Sequence, residues 1–530
     1  METTNLSKIK RERMLSTINE IKKNITDEEV LNNLSLIENE LTKKKYGLIW
    51  EEHEERVDKE LETQIPTFEE IKEKEIVSNP DEQFNFLLEG DNLHSLYLLE
   101  KTHKGKIKMI YIDPPYNRGS NDFVYDDNMI SKTDEFKHSK WLSFMHKRLV
   151  IAKKLMVESG SIIMISIDEN ECHNLKVMCD DIFGQHNYIG DFIRKTKSST
   201  NDADSFFNQQ HEYCLIYKKG NFQFKGVDKD LDGYKNPDND PNGNWKSSDP
   251  SAKSGGNSTY FPITNPITGQ VDYPPVGRYW AFSKASMESY ISSGKIKFKD
   301  KVKPNERGFI FKSYASQLKN NKKPIDSLMF VDNNYMNQVA TKEVNNLNIN
   351  FDYPKPVEFI KQLILASTNE NDIILDFFAG TGTTGQAIQE LNKSNERRYF
   401  ILCTNNENEI CEKTTYTRIK KTNTNSNLKY YRCSYIPRLN NETENLHNNL
   451  LINIKNLIQL ENGVEVDGNK IRVYLNEEEL DNFSISQKEL DTCEKVYISS
   501  DILLTSEQET IFKNNNIEVY IIPEYYFVLY

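Results

Sequence analysis

The chain has 530 residues, 37% of them hydrophobic and 28% charged, which is enough for two to four domains with their own cores. Its net charge of −13 speaks against simple nucleic-acid binding, and no apolar run approaches the ~20 residues of a transmembrane helix. Seven scattered cysteines (172, 179, 214, 403, 411, 433, 493), with no Cys-x-x-Cys pair or His cluster, argue against a zinc site or a disulfide framework. With no apolar signal core at Met1-Glu2-Thr3-Thr4, this points to a reducing cytoplasm.

Taken in order, residues 5–45 place apolar side chains at helical spacing (Leu15, Ile18, Ile21, Ile25, then Val30, Leu34, Ile37, Leu41), which predicts two antiparallel helices suited to packing or dimerisation. Residues 47–82 are acidic and are expected to be an extended connector with short helices. Strands are then predicted at 84–91, 106–112 and 160–167, with helices from Asn92, from Trp141 and from Leu175 between and after them. Asp191–Arg194 and His211–Lys218 predict a hairpin with a polar tip. This alternation specifies an α/β sheet.

Residues 219–345 break the alternation. They are rich in Asp, Asn, Gly, Pro and Ser, and they interleave aromatic with basic residues, as in Arg278-Tyr279-Trp280 and Phe282 with Lys284. Such a stretch is too long for a loop and predicts an inserted domain. Within it, residues 278–323 hold 12 basic against 3 acidic residues, a block of +9 in an otherwise acidic chain. Arg278, Lys284, Lys295, Lys297, Lys299, Lys301 and Lys303 are therefore candidates for contact with a polyanion. After residue 425 the chain turns acidic and Asn-rich, and strands at 471–475, 495–499 and 517–522 predict a small α/β module.

Two stretches carry chemistry. Met109-Ile110-Tyr111-Ile112 reads as a buried strand ending in Asp113-Pro114-Pro115-Tyr116. Pro115 forces Pro114 into an extended backbone, and neither proline donates an N–H. The turn thus offers carbonyl oxygens and one carboxylate in a stiff frame, suited to an amino group with two hydrogens, and Tyr116 is expected as an exposed aromatic beside a flat ring. The second stretch is the strand Asp372–Asp376, which runs into Phe377-Phe378-Ala379-Gly380-Thr381-Gly382-Thr383-Thr384, with a helix from Gly385 and a strand at 398–403. With Gly385 read as one position too early for the third glycine of a dinucleotide fingerprint, leaving a two-glycine turn that opens a helix, and with no lysine placed for a triphosphate, it suits a nucleoside-type ligand without a phosphate chain. Strand C-termini share one sheet edge, so both loops can face one crevice. Transfer from a nucleoside-type cofactor such as S-adenosylmethionine to a base amine is the economical chemistry.

Asp113-Pro114-Pro115-Tyr116 before Phe378-x-Gly380-x-Gly382, with a large domain between, resembles the β-class of amino-group DNA methyltransferases. More closely, the chain resembles the modification (Mod) subunit of type III restriction–modification systems, through Glu89-Gly90-Asp91-Asn92-Leu93, Tyr111 to Asn117, Tyr125-Asp126-Asp127, Trp141-x-x-Phe144-Met145, Ile165-Ser166-Ile167-Asp168, Tyr353-Pro354-Lys355-Pro356 and Asp376 to Thr384. The resemblance implies a Rossmann-like, circularly permuted S-adenosylmethionine-dependent sheet. It also implies a target-recognition domain at 219–345 between a catalytic half (83–218) and a cofactor-binding half (346–432), an N-terminal segment (1–82) and a C-terminal module (433–530).

By the same resemblance, Asp113, Pro114, Pro115 and Tyr116 would grip a flipped adenine. Phe378, Gly380, Gly382 and Thr383 would line the methionine and ribose side of the cofactor, Asp91 would meet its adenine, and Asp113, Asp376 and Lys355 would support the pocket. Where the family often has an acid for the ribose hydroxyls, this chain reads Thr404-Asn405-Asn406-Glu407. Duplex DNA, a second copy of the chain and a helicase–nuclease (Res) subunit are the implied partners, with no membrane and no metal. Three alternatives stay open: a cytosine-N4 methyltransferase, a catalytically inactive DNA-specificity protein, and a dinucleotide-dependent oxidoreductase, which has only the glycine turn in its favour.

Overall fold

The computed structural model describes residues 6–42, 50–80, 82–119, 124–125, 128–129, 135–199, 207–229, 231–318, 322–351, 353–393, 396–437 and 443–522. Asp126 and Asp127 of the motifs, and residues 200–206 of the polar tip, lie outside the described residues. The chain packs as two compact units, one formed by residues up to 223 and from 326 onward, the other by residues 224–325.

The larger unit is built on a nine-stranded sheet. Its strands are β1 (Gln64–Glu70), β2 (Phe84–Glu89), β3 (Met109–Ile112), β4 (Gly160–Ile167), β5 (Tyr188–Lys195), β6 (His211–Gly220), β7 (Ile373–Asp376), β8 (Tyr399–Thr404) and β9 (Asn427–Pro437), in the order β1-β9-β2-β8-β7-β3-β4-β6-β5. The six from β9 to β4 run parallel, and β1, β6 and β5 are antiparallel to their neighbours. Every residue of β2, β3 and β4 is buried. Such runs of unbroken burial belong to parallel strands covered on both faces, which is why these strands read as short, largely apolar runs in the sequence.

Helices Asn92–His103 and Lys137–Leu155 connect β2, β3 and β4, and Val357–Ser367 and Thr383–Leu391 lead into β7 and β8. The sheet order fixes where a ligand goes. From β3 the chain moves one way to β4, and from β7 it moves the other way to β8, while β3 and β7 lie side by side with Leu375 opposite Ile110. A crevice opens at such a switch point, beyond the strand C-termini. Asp113 and Phe377 are the first residues past those two termini.

The segment 47–82, expected to be a connector, is corrected: β1 lies within it and pairs with β9 from Gln64↔Pro437 to Glu70↔Tyr431. Its apolar signal is too short to show as a strand, but Ile65 and Phe68 are buried. The fully buried ammonium of Lys429 on β9 is enclosed by Glu70 (2.6 Å), Glu75 (2.8 Å) and Glu465. The boundary at 432/433 falls inside β9. The helix Thr443–Asn462 beyond it joins the main core through Ile454, Leu457 and Ile458 and donates from Asn456 Nδ2 to the Phe68 carbonyl (2.6 Å). The three-stranded parallel sheet that follows (Ile471–Tyr474, Lys495–Ser499, Glu518–Ile522) has a core of its own around Leu480, Phe483, Val496 and Phe512.

The N-terminal helices are Leu6–Asn24 and Glu28–Thr42, joined by the ion pair Lys22–Glu38 (2.6 Å).

The unit 224–325 is narrower than the expected 219–345. Residues 327–330 hydrogen-bond to β5, with Ile193 N–H to Ser327 O at 2.9 Å and Lys195 N–H to Phe330 O at 3.0 Å, which places them with the larger unit. The smaller unit has a three-stranded sheet (Trp245–Ser247, Ile296–Phe298, Phe309–Tyr314) and a largely aromatic core of Phe261, Ile263, Trp280, Phe282, Ile296 and Phe309. The Trp280 indole donates to the Phe261 carbonyl at 2.8 Å, so its one polar atom is satisfied inside that core.

Candidate active site

Asp113 leaves β3 with Pro114 and Pro115 behind it, and the turn is anchored by the Trp141 indole, which donates to the Pro115 carbonyl at 2.7 Å. Asn117 closes the turn in the left-handed region (φ 58°), where Asn is tolerated, with its side chain donating to Glu171 at 2.5 Å. Both Asp113 oxygens are engaged: the Tyr116 hydroxyl donates to Oδ1 at 2.7 Å, and the Lys355 ammonium lies 2.7 Å from Oδ2. Lys355 also donates to the Tyr116 oxygen at 2.9 Å.

Tyr116 is corrected from exposed to buried. Its ring is covered by the Arg118 guanidinium at 5.0 Å, and its hydroxyl reaches Glu212 Oε2 at 3.2 Å as well as Asp113. Burial, then the charges of Asp113 and Glu212, raise that hydroxyl well above its ordinary pKa.

Glu212 and Arg194 complete the cluster. Arg194 Nε donates to Glu212 Oε1 at 2.8 Å, and Lys355 Nζ lies 3.4 Å from the same oxygen. Arg194 fixes itself through the Tyr335 carbonyl (2.5 Å) and Asn337 Oδ1 (2.7 Å). Burial works against a charge on Glu212, but Arg194 and Lys355 outweigh it and hold the carboxyl down at about 2. Neither residue was expected from sequence. The signal that could have found them is the hairpin itself, since Arg194 stands directly opposite Glu212 across β5 and β6.

The second loop begins at Asp376, the last residue of β7. Burial pushes its carboxyl up to about 7, against hydrogen bonds from Thr384 Oγ1 (2.5 Å) and the Phe378 N–H (3.1 Å). Asp376 thus ties the loop's two ends together rather than facing solvent. Gly382 adopts φ 80°, and a Cβ there would stand 3.1 Å from Thr415 Cγ2, so the turn needs glycine. The two-glycine reading is corrected: Gly385 completes the spacing Gly380-x-Gly382-x-x-Gly385, and a Cβ on it would meet Ile419 Cδ1 at 2.3 Å. This third glycine serves close helix packing.

Beneath the loop, Arg418 donates to Thr381 Oγ1 (2.7 Å), Thr383 Oγ1 (2.9 Å) and Gln386 Oε1 (2.7 Å), and burial lowers its pKa to about 10. Sequence reasoning missed this arginine, because a lone basic residue in a helix carries no signal of its own.

Lys355 joins the two loops. Its ammonium holds Asp113, while its carbonyl accepts from Thr383 Oγ1 at 3.4 Å. Asp91 lies along the same edge as the N-cap of Asn92–His103, accepting from Leu93 N–H at 2.7 Å. Asn92 donates to the Phe377 carbonyl (2.8 Å), which fixes that helix start against the glycine turn. Arg148 then ties the wall together: it meets Asp91 at 3.2 Å, donates to Asn92 at 2.5 Å, and stacks 3.6 Å over Phe144, whose ring is 5.8 Å from that of Phe378.

The seven basic candidates all lie in the other unit, and several spend charge internally. Arg278 pairs with Asp249 at 3.2 Å, Lys297 with Asp238 at 2.7 Å and Lys299 with Glu306 at 3.0 Å, and Lys295 lies 4.8 Å over Tyr290. Lys284, Lys301 and Lys303 are exposed.

A mostly parallel sheet thus carries a carboxylate–proline turn and a glycine turn side by side at one switch point. The sequence agrees in detail: residues 107–416 match the DNA methylase family, and the chain belongs to it. It is 35% identical over 375 residues to the type III restriction-modification enzyme StyLTI Mod subunit of Salmonella typhimurium, covering 63% of this chain and 55% of that one. It is 30% identical over 446 residues to the EcoP15I Mod subunit of Escherichia coli (71% and 66%) and 31% identical over 335 residues to the type II methyltransferase M.KpnI of Klebsiella pneumoniae (57% and 76%). The chain thus spans little more than half the length of the first relative and just under two thirds of the second.

Proposed function

We propose that the protein is a site-specific DNA methyltransferase that moves the methyl group of S-adenosylmethionine to adenine N6 in duplex DNA, as the modification subunit of a type III restriction–modification system. The observation that carries this reading is the convergence of Asp113, Tyr116 and Lys355 on the edge that also holds the glycine turn. The residues present fit the cofactor: a glycine turn with no lysine placed for a phosphate chain, the Phe378 ring, and a partly exposed carboxylate at Asp91. Phe378, Gly380, Gly382 and Thr383 would hold its methionine and ribose side and Asp91 its adenine, with Asp376 and Lys355 supporting the pocket. Bound there, it supplies an electrophilic sulfonium methyl.

The chain's own residues prepare the nucleophile. An adenine must first leave the stack, at a cost of a few kcal/mol. Its amine is a poor nucleophile because the lone pair is delocalised into the ring. Hydrogen bonds from N6 to the Asp113 carboxylate and the Pro114 carbonyl favour a pyramidal nitrogen with a localised lone pair. Since Tyr116 and Lys355 occupy the two Asp113 oxygens, the arriving amine must displace or share one of them, and release of Tyr116 would both free Oδ1 and supply a ring to cover the base. Positioning and preset charge then provide most of the rate.

Mass spectrometry of nucleosides from DNA treated with the protein and cofactor tests this: N6-methyladenine is expected, and N4-methylcytosine in its place would establish the cytosine alternative. No helix among the described residues is long and apolar enough to cross a membrane.

The unit 224–325 is the proposed target-recognition domain, on the strength of its basic block. With Lys297 and Lys299 tied to carboxylates, Lys301 and Lys303 are the better candidates for phosphate contact. Replacing both with serine is expected to weaken DNA binding and to flatten the log K against log salt slope by about 2. Fluorescence anisotropy across a salt series measures this, and an unchanged slope would remove both lysines from the interface. A second copy of the chain and a helicase–nuclease subunit are the partners proposed with this reading.

A further inference from the structure

Glu212 lies off both sequence motifs, yet it sits 4% exposed within reach of two groups that serve the proposed reaction, Lys355 and Tyr116. Lys355 is shared between two carboxylates: Asp113 Oδ2 at 2.7 Å and Glu212 Oε1 at 3.4 Å. The Tyr116 hydroxyl is likewise within reach of both, at 2.7 Å from Asp113 and 3.2 Å from Glu212. Arg194, fully buried, donates to the same Glu212 Oε1 at 2.8 Å. Through these contacts the four charges alternate in sign, Asp113 (−), Lys355 (+), Glu212 (−) and Arg194 (+), and sum to zero.

That alternation has a chemical consequence. A lysine paired with Asp113 alone would place its whole charge on the carboxylate that must accept hydrogens from an amine, weakening it as an acceptor at the moment the lone pair has to localise. A second carboxylate on the ammonium draws off part of that charge. Arg194 in turn keeps Glu212 from being an uncompensated buried anion, which would otherwise cost several kcal/mol.

Resting on the methyltransferase reading above, we infer that Glu212, braced by Arg194, is a positioning residue: it divides the charge of Lys355 so that Asp113 stays a strong hydrogen-bond acceptor for the target amine, and it gives the Tyr116 hydroxyl a second acceptor when Asp113 turns to the substrate. Glu212 itself touches neither the amine nor the methyl donor.

The test compares two substitutions in the full chain. Glu212→Gln keeps the shape and an acceptor for Arg194 but removes the charge. Glu212→Asp keeps the charge and shortens the side chain by one carbon. Charge division predicts that Glu212→Gln loses roughly 10- to 100-fold in kcat, the scale of one weakened electrostatic contact in a preset site. KM for DNA and the calorimetric Kd for S-adenosylmethionine should stay within about twofold, and Glu212→Asp should retain the larger share of kcat.

The inference is overturned if Glu212→Gln is as active as wild type. It is also overturned if Glu212→Asp is the more damaged of the two, or if both lose activity in step with cofactor affinity and melting temperature, because packing would then be the cause. The wild-type protein run alongside separates the two claims: an inactive wild type fails the methyltransferase reading, whereas an active wild type with an equally active Glu212→Gln fails only this one.

Discussion

Asp113→Asn is expected to lower kcat for methyl transfer by at least about 100- to 1,000-fold while leaving S-adenosylmethionine affinity within a few-fold of wild type. The lower bound is the scale seen when one preset polar group is removed from a reacting centre. The amide turns one acceptor into a donor, which opposes the hydrogens of an incoming amine instead of accepting them. The fold should survive, because Lys355 keeps Glu212 at 3.4 Å and Tyr116 at 2.9 Å. Single-turnover transfer of a labelled methyl group, with calorimetric cofactor binding on the same sample, measures both arms. More than a tenth of wild-type turnover would displace Asp113 from the chemistry.

Arg148→Met is expected to lower the stability of the larger unit strongly. Arg148 is fully buried and meets Glu55 at 3.0 Å, Asp91 at 3.2 Å, Asn92 at 2.5 Å and the Phe144 carbonyl at 2.8 Å. Removing it leaves the buried Glu55 carboxylate, whose pKa desolvation already raises, to the more distant and more exposed Lys147 at 3.6 Å. Breaking a buried ion pair from one side costs about 3–5 kcal/mol. The methionine replaces the stem but not the hydrogen bonds, so the loss shows as a lower guanidinium midpoint. Cofactor affinity should fall as well, since Asp91 and Phe144 are positioned by this guanidinium. A midpoint within error of wild type would show that the Glu55 side relaxes into water.

The central sheet and both loops were legible because each is local. β2, β3, β4 and β7 are apolar runs, and Asp113-Pro114-Pro115-Tyr116 and Gly380-x-Gly382 are contiguous words at strand ends. β1 was not legible because its seven residues include a proline and two glutamates, and it becomes a strand only by pairing with β9, more than 350 residues later in the chain. The burial of Tyr116 was missed for a related reason. Its hydroxyl is held by Lys355 and Glu212, which come from two other parts of the chain, so nothing beside Tyr116 in the sequence announces it. Arg194 and Glu212 looked like ordinary charges on a hairpin, and only their register shows that they face each other. The extra length given to the inserted domain came from residues 326–345, whose polar composition resembles the insertion but whose hydrogen bonds run to β5.

The interleaved strand order also sets a timetable for synthesis. β3 must wait on one side for β7, and β2 must wait for β8 and β9, yet these begin at residues 373, 399 and 427. At translation rates of ~5–20 residues per second, the stretch between β3 and β7 occupies a ribosome for roughly 13–50 s. Throughout that interval the nascent chain carries β2 and β3, both largely apolar, with open hydrogen-bonding edges. Folding of the larger unit is therefore tied to completion of its C-terminal half, and the half-made chain is the species with most need of a chaperone.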